Sequence, residues 1–252
     1  MRHARRPPPK KPTVRRRQRL RWFSRVCFIL AALAFGYWGW DTFGTTHLAR
    51  TQMAADKAAF IQTLPPANTA IGKPYSDLNR HPPPQVSLDH LAPGAGFALL
   101  HAPTLGIEPI LIRQGTADPT ALQALVHSGG AIHYPSTQPP GAIGNFALSA
   151  KRRGYGDTFR RIPDLNIGDT ILIETADAWY TYTIIATQIV EPAEVWVINP
   201  NPFTPLNPNG TQTTDRRLIT LQTSSGQTGS QWRATHRHIT WGELTSWTRR
   251  ER

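Results

Sequence analysis

The chain has 252 residues, enough for one domain of ordinary size plus extensions. Its formal charge of +12 would suit a nucleic-acid binder, but eleven Lys and Arg precede Val26 with no acid among them. Since 12 − 11 leaves about +1 for everything else, a charged nucleic-acid footprint on the folded part is excluded. The single cysteine, Cys27, excludes a disulfide within the chain and any thiolate catalysis or zinc–thiolate site downstream of it.

Residues 1–25 form the basic tail. Val26 to Trp40 is a charge-free apolar run of 15 residues, shorter than the roughly 20 that a spanning helix needs. Trp22 and Phe23 extend it on one side and Thr42 to Thr46 on the other, and Arg25 can snorkel to headgroups. Trp22, Tyr37, Trp38 and Trp40 stand where an aromatic belt lies. A cleaved signal peptide is the competing reading, but no Ala-x-Ala-like site follows promptly. Residues 26–43 are therefore expected to be an uncleaved anchor. By the positive-inside rule the tail is cytoplasmic and the rest of the chain extracellular, with the tail arginines against anionic lipid headgroups.

Residues 44–95 read as a helical stalk followed by a Pro-rich linker: 46–62 lack Gly and Pro, whereas Pro65–Pro66 and Pro82–Pro84 interrupt any periodicity after it. From Phe97 the pattern is that of short strands, which marks 96–246 as the folded domain. Strands are expected at 97–101, 107–113, 143–150, 168–175, 178–190, 218–224 and 236–244, with a hairpin turn at Ala176-Asp177. One helix is expected at 118–126, with Asp118 as N-cap and Pro119 in its first turn, and a helical turn within 157–165. Seven or eight short strands with little helix favour an all-β, closed or nearly closed barrel.

Five segments in order carry a resemblance: Thr104-Leu-Gly-Ile107, Gly130-Ala-Ile-His-Tyr-Pro135, Pro140-Gly-Ala-Ile-Gly-Asn-Phe-Ala147, Gly168-Asp169, and 218–244, which reads LITLQTSSGQTGSQWRATHRHITWGEL. Together they resemble the sortases, membrane-anchored cysteine transpeptidases of Gram-positive cell surfaces, and class E sortases most. The resemblance implies an eight-stranded β-barrel with short helices, preceded by one transmembrane helix, and a groove where His, Cys and Arg meet. It puts Lys151 in the histidine column, Ser224 in the cysteine column and Arg237 in the arginine column. Arg233, nine residues after Ser224, is the alternative for the last.

Acyl transfer from a peptide needs a nucleophile, a proton donor for the leaving amine and a stabiliser for the oxyanion. A thiol of pKa about 8.5 ionises with little help, whereas a serine hydroxyl needs a strong, well-placed base. The expected function is therefore a catalytically silent sortase homologue at the cell surface, an accessory or peptide-binding module. Its implied partners are a sorting-signal peptide, another sortase or a surface protein. The alternative is a Ser–Lys acyl transferase or hydrolase using Ser224 and Lys151, with Arg152, Arg153 and Arg237 lowering the lysine pKa. His133 reads as structural, and His236 and His238 share the strand face opposite Arg237. No cofactor is expected, and no carboxylate–histidine spacing suggests a metal site.

Overall fold

The computed structural model describes residues 14–40, 44–64, 73–207, 209–226 and 234–250. Arg233, most of the basic tail, and parts of the expected anchor (41–43) and linker (65–72) lie outside these. Two compact units divide at Gly44. The first contains helix α1, Val14–Gly39, and Arg21–Gly39 is long and apolar enough to cross a membrane. Its large side chains, among them Trp22, Phe28, Leu33 and Phe35, are exposed, so it has no protein core of its own.

The second unit is a closed barrel. Its strands are β1 (Gly96–His101), β2 (Ile110–Gln114), β3 (Ala131–His133), β4 (Gly144–Ser149), β5 (Thr170–Glu174), β6 (Ala178–Val190), β7 (Arg217–Ser225) and β8 (His236–Arg249). They close in the order β1-β2-β3-β4-β7-β8-β6-β5. The β2–β3 and β4–β7 pairs are parallel and the other six antiparallel. This is the eight-stranded barrel expected from the sequence. Closure leaves no unpaired edge within the sheet.

Alternation builds the interior, because successive residues of a strand face opposite sides. Ala98 and Leu100, Phe146 and Leu148, Ile171 and Ile173, Tyr180 and Tyr182, and Ile219 and Leu221 all point into one core. The two tyrosines keep their hydroxyls paired: Tyr182 Oη accepts from the Gly141 amide at 2.8 Å, and Tyr180 Oη donates to Pro84 O at 2.9 Å. Gly141 has φ +79°, and a Cβ there would stand 2.4 Å from the Tyr180 ring, so the Pro140-Gly141 turn admits no side chain.

Boundaries move where backbone donors decide them. Pro109 cannot donate to a ladder, so β2 begins at Ile110 rather than at residue 107, after a 3-10 turn at Pro103–Leu105. The three-residue β3 was concealed within the Gly130–Pro135 motif and is recognisable by its pairing with β2 and β4. Only a 3-10 turn at Ile162–Asp164 forms within 157–165. Strand β8 runs on to Arg249 because β6 offers partners as far as Ala178. Helix α3, Pro119–Ser128, starts as expected, with Asp118 Oδ1 accepting from the Ala121 amide at 2.6 Å.

The residues expected as stalk and linker make specific contacts with the barrel. Helix α2, Thr45–Thr63, sends Arg50 to Asp157 (2.8 Å), Asp56 to Arg113 (3.8 Å) and Lys57 to Glu108 (3.4 Å). Further on, Tyr75 bridges to Trp247 by two backbone hydrogen bonds, Trp247 Nε1 donates to His81 O, and Leu88 joins the core.

At the barrel end marked by the β5–β6 hairpin, Glu174 is buried between His101 Nε2 (2.7 Å) and Arg250 Nη2 (2.6 Å). Burial alone would raise the Glu174 carboxyl, but its hydrogen bonds to His101 and Arg250 outweigh this and hold it below the usual carboxylate value. Removing one partner strands a buried charge. Arg250→Ala is therefore expected to lower the free energy of unfolding by about 3–5 kcal/mol in urea titration, whereas truncating the exposed Arg80 is expected to change it by about 0–1 kcal/mol.

Candidate active site

Three adjacent strands, β4, β7 and β8, carry the site on their outer face. Across β7 and β8 the paired residues are Thr220↔Trp241, Gln222↔Ile239 and Ser224↔Arg237. Directly opposed side chains project to the same side, so Ser224 and Arg237 form the last rung of an outward ladder. The intervening pairs, Leu221↔Thr240, Thr223↔His238 and Ser225↔His236, belong to the other side. His236 and His238 therefore stand on the face opposite Arg237, as the strand period required.

On the other flank, β4 runs parallel to β7 with Ser149 matched to Gln222. The pairing continues one residue further, since the Ala150 amide donates to Gln222 O (3.2 Å) and Thr223 Oγ1 donates to Ala150 O (2.9 Å). Lys151 follows, two residues beyond Ser149 as Ser224 is two beyond Gln222. Its carbonyl accepts from the Phe159 amide at 2.9 Å, which closes the 151–159 loop. Lys151, Ser224 and Arg237 are thus brought together at the upper end of one face.

The charges there are unbalanced. Arg152 Nη1 reaches the Ser224 carbonyl in a long contact of 3.5 Å. Burial, then the charge of Arg237, pushes the Lys151 ammonium below its usual pKa. His238 is lowered by burial and by Arg152, and its Nε2 is buried without a hydrogen bond, as is Arg237 Nε, among the described residues. Among those residues no carboxylate pairs with Lys151, Arg152 or Arg237, and Lys151 Nζ makes no hydrogen bond to Ser224 Oγ. No group of three or more His, Cys, Asp or Glu that could hold a metal occurs among them either.

The outer face below this end is covered. The β6–β7 connection folds a 3-10 turn, Val195–Ile198, over Val190, Ile239 and Trp241, giving a second, smaller apolar cluster. Trp196 stacks on Trp241 with ring centroids 5.9 Å apart. Asn145 and Thr220, both fully buried, tie this cover down: Thr220 Oγ1 donates to Asn145 Oδ1 (2.9 Å) and Asn145 Nδ2 donates to Asn199 O (3.0 Å).

Sequence reasoning missed Tyr155 and its support. Gly154, Tyr155, Gly156 and Asp157 have consecutive positive φ values of 72°, 48°, 93° and 55°. Only the glycines adopt this region freely, so the two other residues are held there by contacts. Asp157 accepts from the Gly154 amide (2.7 Å) and from Arg50 of α2 (2.8 Å). Met53 of α2 fills the space beside Gly129 and Gly156. The loop so held stacks Tyr155 on His127 (4.4 Å) and sets its ring 5.7 Å below Lys151 Nζ. The Gly-x-Gly-Asp pattern at 154–157 was the available signal. A cavity of about 470 Å³ lies between α2 and β2, lined by Met53 and Ile110 and, from this loop, by Gly156 and Asp157.

A model of the sortase domain matches residues 100–245, more than half of the chain. The chain belongs to the sortase family. Its relatives include class E sortases. Over 158 residues it is 32% identical to Sortase SrtE1 of Streptomyces coelicolor, a match that takes in 60% of this chain and 41% of that protein. Sortase SrtE2 of the same organism is 35% identical over 99 residues, 36% of each chain. The matched region thus spans less than half the length of these curated relatives. Among solved structures, SrtA sortase from Actinomyces oris is 31% identical with a TM-score of 0.57, covering 68% of this chain and 89% of that one. Sortase E1 from Streptomyces coelicolor with a tripeptide in the active site is 31% identical with a TM-score of 0.51, covering 64% and 94%.

Within this sortase barrel His133 is buried on β3, its ring nitrogens hydrogen-bonded to Gln114, Gln138 and Thr137. Burial drives its pKa down to about 4, against hydrogen bonds that raise it. The unfolded chain therefore takes up a proton near pH 6.5 that the native state refuses until about pH 4. Stability is expected to fall as pH drops through that window, by on the order of 3 kcal/mol in total. Urea midpoints measured from pH 7 to pH 4 check this, and the slope with pH is expected to flatten in His133→Gln.

Proposed function

We propose that this sortase-family protein is silent as a cysteine transpeptidase and serves as a membrane-anchored, peptide-binding or accessory module at the cell surface. The observation that carries the reading is the substitution pair: Ser224 where the family resemblance expects the nucleophilic cysteine, and Lys151 where it expects the histidine. The only cysteine of the chain is Cys27, within the apolar run. A serine hydroxyl needs a base, and an ammonium donates protons without accepting them. The absence of a Lys151–Ser224 hydrogen bond and of any carboxylate partner to orient the lysine, among the described residues, supports the same conclusion. Arg237 can steady an oxyanion but cannot create one.

The peptide-binding part rests on likeness. The sortase E1 structure from Streptomyces coelicolor holds a tripeptide in its active site, and in this reading its counterpart here is the uncovered upper end of the outer face, around Ser224 and Arg237. The anchoring part rests on α1 and on the eleven basic residues before Val26, which by the positive-inside rule favour a cytoplasmic tail against anionic headgroups and an extracellular barrel. In this reading residues 1–25, 26–43 and 44–95 are tail, anchor and stalk with linker, and the barrel expected over 96–246 extends to the end of β8 at Arg249.

A second reading, a Ser–Lys acyl transferase or hydrolase, is favoured by one observation: Lys151 is shifted in the direction a general base requires. Incubation with a Leu-Pro/Ala-x-Thr-Gly peptide and an amine acceptor, followed by mass spectrometry, separates the two. The silent reading expects no transpeptidation and no adduct. A covalent acyl group on Ser224, abolished by Lys151→Ala, would replace it with the Ser–Lys reading.

Restoring both chemical groups tests whether only the chemistry is absent. Lys151→His combined with Ser224→Cys is expected to give measurable peptide cleavage, and either substitution alone none. A well-folded double variant without activity would show that the peptide surface has diverged too.

A further inference from the structure

We infer that the upper end of this face is a receptor for a peptide's free C-terminal carboxylate, rather than for an internal peptide bond. The inference rests on the peptide-binding reading above and names the ligand class for the same site. Three placements carry it: Arg237 level with Ser224 on the outer ladder, Lys151 two residues past the end of β4 beside Ser224, and Arg152 against the Ser224 carbonyl.

Lys151, Arg152 and Arg237 are half-buried around the end of β7, Arg152 on the Ser224 carbonyl and Arg237 level with Ser224 on β8, and among the described residues none has a carboxylate partner. Partly desolvated cations with no counter-charge are unfavourable, and an internal amide offers them only a dipole. A carboxylate offers a full negative charge and two oxygens, which match the planar fork of the Arg237 guanidinium. Lys151 and the Ser224 hydroxyl remain as further donors to the same group. Ser224 and Lys151 in this arrangement suit holding a cleaved chain end in place of cleaving a chain.

The surroundings favour a peptide over a bare anion or a fatty acid. Next to Arg237 on β6 stands Val190, and the crossover that packs on it exposes Val195, so apolar surface lies on the same face as the charges. A bare phosphate leaves that surface unused. Gln222, half-buried one rung below Ser224, has a side-chain amide with no partner among the described residues, and its donor and acceptor suit a peptide main chain but not a hydrocarbon.

The test uses the full chain in nanodiscs and three fluorescent peptides: Leu-Ala-Ser-Thr with a free carboxylate, the same peptide amidated, and Leu-Ala-Ser-Thr-Gly-amide. Fluorescence anisotropy is expected to show the free acid binding at least about tenfold more tightly than either amide, the equivalent of one charge-assisted hydrogen bond. That gap is expected to close in Arg237→Gln and in Lys151→Gln, to persist in Lys151→Arg, and to shrink with added salt. Near-UV circular dichroism confirms that each variant is folded, and the acid–amide comparison on the unaltered chain needs no variant. Equal binding of acid and amides would overturn the carboxylate receptor while leaving peptide binding standing. Binding of none of the three would overturn both. Displacement of the acid by octanoate or inorganic phosphate as readily as by unlabelled acid would overturn the peptide as ligand.

Discussion

The carbonyl of Val197 receives hydrogen bonds from Trp241 Nε1 on β8 and Asn145 Nδ2 on β4, at 3.1 and 3.4 Å, and Asn145 Oδ1 in turn accepts the one proton of Thr220 Oγ1 on β7 at 2.9 Å. Asn145 and Thr220 are wholly buried, so each would carry a desolvation penalty of about 1–3 kcal/mol if left unpaired. Together these bonds fix the β6–β7 crossover over three strands at once and hold β4 and β7 in their parallel register. Everything at the candidate site is downstream of that register. A shift of one residue between β4 and β7 would turn Lys151 away from Ser224, because strand faces alternate.

Much of this was legible in the chain. The Pro140–Ala147 stretch carried the family resemblance and the run from Ile143 announced a strand, and the short alternating runs announced a barrel. The Asp118-Pro119 start of α3 followed from capping chemistry alone. Other features left no local trace. Strand β3 is three residues long, too short for any periodicity, and exists because β2 and β4 present open ladders on either side. The long β8 likewise depends on its partner and not on its own composition. At the site, the residues at the Lys151, Ser224 and Arg237 positions could be named from motif order, but their unneutralised charge could not, since it depends on which carboxylates fold within reach.

The α2 contacts are the other feature that composition concealed. An Ala-rich helix after an anchor reads as a spacer, yet Arg50 and Met53 brace the loop that carries Tyr155 and follows Lys151. Four consecutive residues in the left-handed region need such bracing, because two of them are not glycine. The segment that leaves the apolar helix is therefore also a wall of the loop beside Ser224.

The alternation of β7 divides its residues between two kinds of work. Ile219, Leu221 and Thr223 point inward and are buried to at least 98%; a change there opens a cavity or strands a hydroxyl. Gln222 and Ser224 point outward and are only half-buried, where substitutions typically change stability by about 0.5 kcal/mol or less. Inheritance of the barrel and inheritance of its chemistry thus rest on different residues of one strand. Selection for a folded barrel can keep the first set while the second drifts, because an outward side chain can be exchanged without the core registering the difference.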